Sequence, residues 1–421
     1  MKQNIYQLIL LVALTLSLPA QASTAMVDTY LWDINRINQA VSASADPSSP
    51  LHTAREQLIY EAEGALKVPL ISVTQKTGMP PSGDKKDFFT LSPYFWPIPF
   101  LPGGKPYYFR DGMVNPEANS EIYDRERYFL FMRTVRTLAL AYRFSGDERY
   151  AQHATRLLRF WFLEPETAMN PHFRHAQVIP GWTDGSSLGV IRGSELVMIL
   201  DGSRLITSSP SWTSQDEAAL RDWYGRYLDW VTTSDFGHRD GKRKNNHGTW
   251  HNVHITSVAL YTGRDDVARR ILEAAPEYRF LKQIKPDGRQ TYELRRSRSW
   301  EYSLYNLRGL YALAELGDRL GMNLWAYEKD GFNPLLTAST YLEPYASGEE
   351  TWPHYQLAKS NEWARELAIH LFLRAMRHYG ADRFESSLNF LDDLEPSHRL
   401  RLLYNHTRGL PATATPPPQT P

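Results

Sequence analysis

"TSQDEAALRDWYGRYLDWV", residues 213–231, is the stretch whose reading decides the fold. Ser214 and Glu217 stand in the spacing of a capping box, the mark of a helix start. Leu220, Trp223, Tyr224, Tyr227, Leu228 and Val231 then recur in the steps of a helix, giving one apolar, aromatic face. The same period runs through "RERYFLFMRTVRTLALAYRFSGD", residues 125–147, where Tyr128, Phe131, Val135, Leu138 and Tyr142 share a face and Gly146 ends it. Similar patterns occupy 149–163, 190–204, 250–262, 265–274, 302–317 and 360–379. The breaks between them, such as "SGDER", "TGRDD" and "LGDRL", are short enough to join antiparallel neighbours. Alternating β-branched runs are few, and no glycine-rich phosphate loop is present. The sequence therefore predicts an all-α fold: a single (α/α) toroid, or incomplete barrel, of antiparallel helix pairs, with no fixed-period sequence repeat.

Three regions depart from that pattern. Residues 79–118, "MPPSGDKKDFFTLSPYFWPIPFLPGGKPYYFRDGMVNPEA", are dense in proline, glycine and aromatic rings. A long ordered loop of this kind is commonly functional. Residues 1–22 have a positive start at Lys2, an apolar run from Leu8 to Leu18 and the small-residue site Ala20-Gln21-Ala22. They predict a signal peptide and hence a periplasmic or secreted protein, with the toroid spanning 23–408. Residues 409–421 are a Pro-rich tail predicted to be disordered.

Composition narrows the partners. There is no cysteine, which excludes disulfides, thiolate metal sites and a cysteine-borne lipid anchor. Lysine plus arginine equals aspartate plus glutamate at 47 each, so net charge exerts no pull toward nucleic acid or toward a membrane after signal cleavage. Twelve tryptophans and 24 tyrosines mostly serve the core, yet such rings also stack on sugar faces.

The chemistry gathers at "KNNHGTWHNVH", residues 244–254. On a helix His247, His251 and His254 fall at i, i+4 and i+7, on one face. That placement could suit zinc, but the glutamate of the H-E-x-x-H pattern is missing, and packing explains His251 and His254 as well. Asn246 and His247 differ because cations surround them. Lys242, Arg243 and Lys244 come just before, and a second basic island, "RQTYELRRSRSWEYSLYNL", brings Arg289, Arg295, Arg296 and Arg298 beside Tyr302 and Tyr305. A neutral chain that concentrates its cations around a polar, aromatic cluster is prepared for an acidic ligand.

β-Elimination on a uronic acid polymer would use such a set. The C5 proton is weakly acidic until the neighbouring carboxylate is neutralised, which Asn, His and Arg donors do. A base must then take the proton and an acid must protonate the departing O4. A tyrosine fills both roles when nearby cations lower its pKa. Asn246, His247, Arg296 and Tyr302 supply the set with no metal or other cofactor required.

The "NNHGTW" block and the later "EL-x-R…Y" block, with the helical pattern around them, resemble the alginate lyase domain family, the (α/α) toroids of polysaccharide lyase family 5 and its relatives. "FFTLSPYFWPIP…YYFRDGMVNPE" and "MNPHFRHAQVIPG" look more like family 38 than family 5, and the resemblance spans about residues 85–310. It implies that Asn246 and His247 neutralise the substrate carboxylate, that Arg296 assists, and that Tyr302 is the catalytic acid and base. The step from Arg296 to Tyr302 is six residues, one shorter than family 5 implies, so Arg295 is the alternative arginine and Tyr305 the second tyrosine. Tyr94, Trp96 and Arg110 are expected to line the cleft, with His175 and Gln177 as further contacts and "TWPHYQ", 351–356, as another wall.

The expected partner is thus an anionic polysaccharide, mannuronate-containing alginate or glucuronan. Two other readings stand beside it. A glycoside hydrolase on a similar toroid needs a carboxylate pair, for which Asp184, Glu195, Glu293, Glu301 and Glu362 are candidates without an evident pairing. A polysaccharide-binding protein without catalysis needs neither.

Overall fold

The computed structural model describes residues 28–357, 362–384, 386–387 and 394–407; the predicted signal peptide and Pro-rich tail lie outside these. Helices α1 (Ile34–Ser44) and α2 (His52–Ala65) come first. The long loop follows, with strands β1 (Phe89–Leu91), β2 (Phe95–Trp96) and β3 (Tyr108–Phe109). Then come α3 (Arg125–Ser145), α4 (Glu148–Leu158) and strand β4 (His175–Val178). The chain continues through α5 (Gly193–Leu205), α6 (Ser214–Thr233), α7 (Asp235–Gly241), α8 (Asn246–Tyr261) and α9 (Asp265–Ala275). It ends in α10 (Leu281–Gln283), α11 (Ser299–Arg319), α12 (Pro334–Ser347), α13 (Glu362–Tyr379) and α14 (Arg399–Tyr404).

Local chemistry sets the ends of these elements. Helix α3 stops where Gly146 turns left-handed at φ 72° and donates its N–H to Tyr142. Helix α6 does open with a capping box, but one residue earlier than the sequence spacing suggests. Thr213 accepts from the Asp216 N–H, and the Asp216 carboxylate accepts from the Thr213 N–H. Asp216 also receives Arg159, which fixes the register. Ser214 and Glu217 instead lie within the first turn, where Glu217 pairs with Arg204 at 2.7 Å.

Helices α3, α5, α8, α11 and α13 pack successively side by side, while α2, α4, α6, α9 and α12 lie outside them. This is the (α/α) toroid. The inner helices are parallel, because their first turns meet at one level: Arg192, just before α5, covers Phe129 of α3, and Tyr305 of α11 contacts both Trp250 of α8 and Trp363 of α13. Inner α8 is buried around most of its circumference, as a helix packed on all sides must be, whereas outer α4 and α9 bury one stripe. The core is aromatic, with Phe131 stacked 4.5 Å from Trp161 and Phe162 edge-on to Trp223. Helices α1 and α14 pack together beside α2, and Arg36 of α1 donates to the Tyr404 carbonyl.

The aromatic loop is tied across one end of the toroid. β1 pairs in parallel with β4, and β2 pairs with β3 in a hairpin. Beneath them Lys76 and Asp124, both side chains fully buried, form an ion pair at 3.0 Å, and Asp124 also accepts the Phe89 N–H. From there the loop reaches the first turn of α11, where Tyr94 meets Tyr302.

Candidate functional site

Tyr302 is in the first turn of α11, and its hydroxyl lies 2.8 Å from that of Tyr94 on the loop. The Arg296 guanidinium sits flat over the Tyr302 ring, 3.7 Å from its centroid, and 6.0 Å from that of Tyr94. Asp111, from the "YYFRDG" block, holds Arg296 in place. It accepts from Nε at 3.2 Å and Nη2 at 2.6 Å, and takes the Ser297 N–H at 2.8 Å. Burial alone would raise the Asp111 carboxyl, but Arg296 and Ser297 outweigh it and hold it below the usual carboxylate range.

Those neighbours act differently on the tyrosine. Sequence reasoning expects cations to lower its pKa; in the structure burial and then Tyr94 push Tyr302 well above the ordinary phenol value, with Arg296 pulling the other way. Tyr302 is thus a neutral phenol, ready to donate.

The second half of the site comes from α8. Asn246 is 1% exposed, and its backbone N–H and Nδ2 donate to the two carboxylate oxygens of Glu293, each at 2.7 Å. Burial lifts Glu293 to about 7 despite Asn246 and nearby Arg296. Glu293 and Arg296 lie in one turn, the Arg296 N–H bonding the Glu293 carbonyl, so a single segment joins the two halves. His247 Nδ1 lies 3.2 Å from Asp240, a fully buried residue of α7, and His251 Nδ1 lies 3.3 Å from the other oxygen of that carboxylate. Burial would raise Asp240, but the two imidazoles hold it down at about 2. His254 packs between Gly193 and Tyr227, where burial lowers it to about 3. The three rings thus do not converge on one point.

The other residues expected at the site divide. The Trp96 ring is capped by Arg110 at 5.0 Å, and its Nε1 donates to the Met113 carbonyl. The "TWPHYQ" segment packs against the start of α11. Ser299, at the start of α11, donates to the Tyr355 carbonyl and accepts from Trp352. Arg295 is exposed, facing the Tyr292 ring at 5.7 Å, so of the two arginines it is Arg296 that meets Tyr302. Tyr305 stacks on Trp250, deeper along α11. His175 Nδ1 donates to the Asp184 carbonyl, 2.9 Å away. Gln177 takes a left-handed φ of 53° and spans from Ser92 to the Leu188 carbonyl. Both are buried and brace the loop.

Asp111, Asp240 and the pairing role of Glu293 escaped the sequence reading. "RDG" reads as a turn, and "HRDGKRK" as a basic run, so the one acid in each was hidden by its neighbours. The carboxylates a hydrolase would need are engaged separately: Glu195 with Arg192, Glu293 with Asn246, and Glu301 with Gln356. Asp184 is exposed, and the Glu362 side chain lies outside the described residues.

A family profile described as alginate lyase matches residues 72–352. An alginate lyase from Bacteroides ovatus superposes with a TM-score of 0.84 at 32% identity, covering 90% of this chain and 99% of that one. Alginate lyase A1-III from Sphingomonas species A1 superposes with a TM-score of 0.52 at 17% identity, over 87% of this chain and 98% of that one, a likeness of fold alone. No curated protein sequence matches the chain.

Proposed function

The chain belongs to the alginate lyase family and is a polysaccharide lyase; on that premise we propose that it cleaves a β-1,4-linked uronate polymer, mannuronate-containing alginate or glucuronan, by β-elimination. The observation that carries the reading is the Asp111–Arg296–Tyr302–Tyr94 stack, a fixed cation lying on a hydrogen-bonded phenol. Arg296, Asn246 and His247 neutralise the C5 carboxylate, so that charge developing at C5 spreads onto it. The C5–H and C4–O4 bonds break, a C4=C5 double bond forms, and the leaving O4 takes a proton from Tyr302. In β-D-mannuronate and β-D-glucuronate the C5 hydrogen and O4 lie on the same side, so one tyrosine serves both steps. For the C5 step Tyr302 must first release its phenolic proton to solvent once substrate is bound, a form that Arg296 favours and burial opposes; the phenolate then takes the C5 proton and passes it to O4.

A second reading has its own observation. Asp240 engages His247 through Nδ1, which leaves Nε2 as the basic nitrogen. With Tyr302 a neutral acid, His247 as base would suit anti elimination on α-L-guluronate.

Ultraviolet absorbance of the new double bond, followed separately on polymannuronate, glucuronan, polyguluronate and hyaluronan, tests both. A rise on polymannuronate or glucuronan supports the Tyr302 route, and a rise on polyguluronate alone supports the His247 route. New reducing ends without absorbance would indicate hydrolysis by a carboxylate pair. The predicted signal peptide supports export, where such polymers are met.

A further inference from the structure

Below the site, toward the C-terminal ends of the inner helices, lies a cavity of about 310 Å³. Arg136 of α3, Met198 and Asp201 of α5, Arg308 of α11, and His370 and Arg374 of α13 line it, and residues 30–36 with Tyr404 close it. Tyr302, Arg296, Asn246 and His247 are absent from its walls. Arg308 is six residues beyond Tyr302, a helix rise of about 9 Å.

The charges inside this cavity are unbalanced. Among the described residues no carboxylate stands within ion-pair distance of Arg136 or Arg308; each instead faces an indole, Trp32 at 4.8 Å and Trp250 at 5.8 Å. The Arg136 Nε and the Arg374 Nη1 are buried without a hydrogen-bond partner. The acids nearby are occupied, Asp318 of the wall by the Trp325 indole N–H at 3.1 Å. Glu315 pairs with Arg374 Nε at 3.0 Å, and Asp201 accepts the backbone N–H groups of Tyr30, Leu31 and Trp32 at 2.6, 2.8 and 3.0 Å. Glu366 pairs with His398. At the mouth Arg36 and Arg377 share Asp33, and Arg319 meets Asp28. His370, bonded to the Tyr404 hydroxyl at 2.6 Å, adds no charge: burial and then Arg308, Arg374 and Arg136 keep it neutral. Burial, then Arg399 and Arg308, push Arg136 down to about 10, so the cations feel one another.

Like charges facing each other inside a fold are costly unless an anion joins them. Helix ends do not account for these two, since Arg136 and Arg308 stand mid-helix. We propose that this cavity is a binding site for a compact oxyanion, a carboxylate or phosphate group on a molecule no larger than a monosaccharide, gripped by Arg136, Arg308 and Arg374.

The test is thermal unfolding of the full chain at constant ionic strength, titrated with inorganic phosphate, glucuronate or mannuronate against a chloride control. The expected result is a saturable rise in Tm with at least one of them, its apparent affinity falling about tenfold or more in Arg136→Gln and Arg308→Gln. Phosphate acting alone would assign a phosphorylated ligand, and a uronate acting alone a sugar acid. No saturable rise with any of the three, or a rise retained in full by the double variant, would overturn the proposal. Should the variants fail to fold, crystals of the unaltered protein soaked in selenate decide. An anomalous peak between the guanidinium groups is expected, and its absence there would overturn the site.

Discussion

Asp111 and Asp240 both steady a side chain at the cleft, but from different kinds of structure. Asp111 rides on a loop, is partly exposed, and grips Arg296, a permanent cation, through two nitrogens. Asp240 is fully buried in a helix and is shared by two titratable rings, His247 and His251. The loop-borne support is geometric: its partner is charged at every accessible pH, so it chiefly sets where the guanidinium lies. The helix-borne support is chemical, because the carboxylate selects which nitrogen of His247 is free.

The largest expected effect lies between the two supports. Tyr302→Phe should lower the rate of double-bond formation by about 10²–10⁴-fold while polymer binding, measured by calorimetry, stays within a few fold. A rate near that of the unaltered protein would remove Tyr302 from the chemistry. Next, Asp240→Asn leaves both imidazoles without their anion and should cost about 10- to 100-fold, mainly in kcat. Asp111→Asn should cost less, about tenfold, and mainly in KM, since Arg296 keeps its charge and loses only its clamp. Equal losses in the same constant for both variants would erase the distinction between the supports.

Stability against pH sharpens the contrast between two buried groups, one in α8 and one bonded to its first residue. His254 is lowered from 6.5 to about 3, so its contribution is whole above 6.5 and is lost as pH falls from there toward 3. Glu293 is raised from 4.5 to about 7, so its contribution is whole below 4.5 and is lost as pH rises through 7. Profiles of Tm against pH should therefore lose slope on the acid side in His254→Gln and on the neutral side in Glu293→Gln. The smallest effect is expected for Arg295→Ala, under about twofold in kcat/KM, since an exposed side chain away from Tyr302 contributes little.

Helices with repeated apolar spacing were legible before any coordinates, because period survives in a linear string. Residues 125–145 and 214–231 are helical as read, and the loop at 79–118 stands apart from them. Helix α8 was legible only from Trp250 onward, since its first turn is polar and its sides are all buried. Helix α7 carries two glycines, Gly237 and Gly241, and α12 contains Pro344, so neither announces itself by pattern. Within the site, Tyr302, Arg296, Asn246 and His247 stood out because rare residue types cluster. Their carboxylate supports did not: 185 residues separate Asp111 from Arg296, and 47 separate Asn246 from Glu293, distances that only the packing of the helices removes.

The parallel inner helices have an electrical consequence. Each helix carries a macrodipole, about half a positive charge at its N-terminal end, and the first turns of α3, α5, α8, α11 and α13 all open toward the cleft. A chain whose formal charges sum to zero therefore presents one electropositive pole. The acidic polymer proposed as substrate would be drawn to that pole by the orientation of peptide groups as well as by arginines. Such a field fades within a Debye length, about 8 Å at physiological salt. Added salt should thus slow the approach of the polymer without altering the chemistry that follows it.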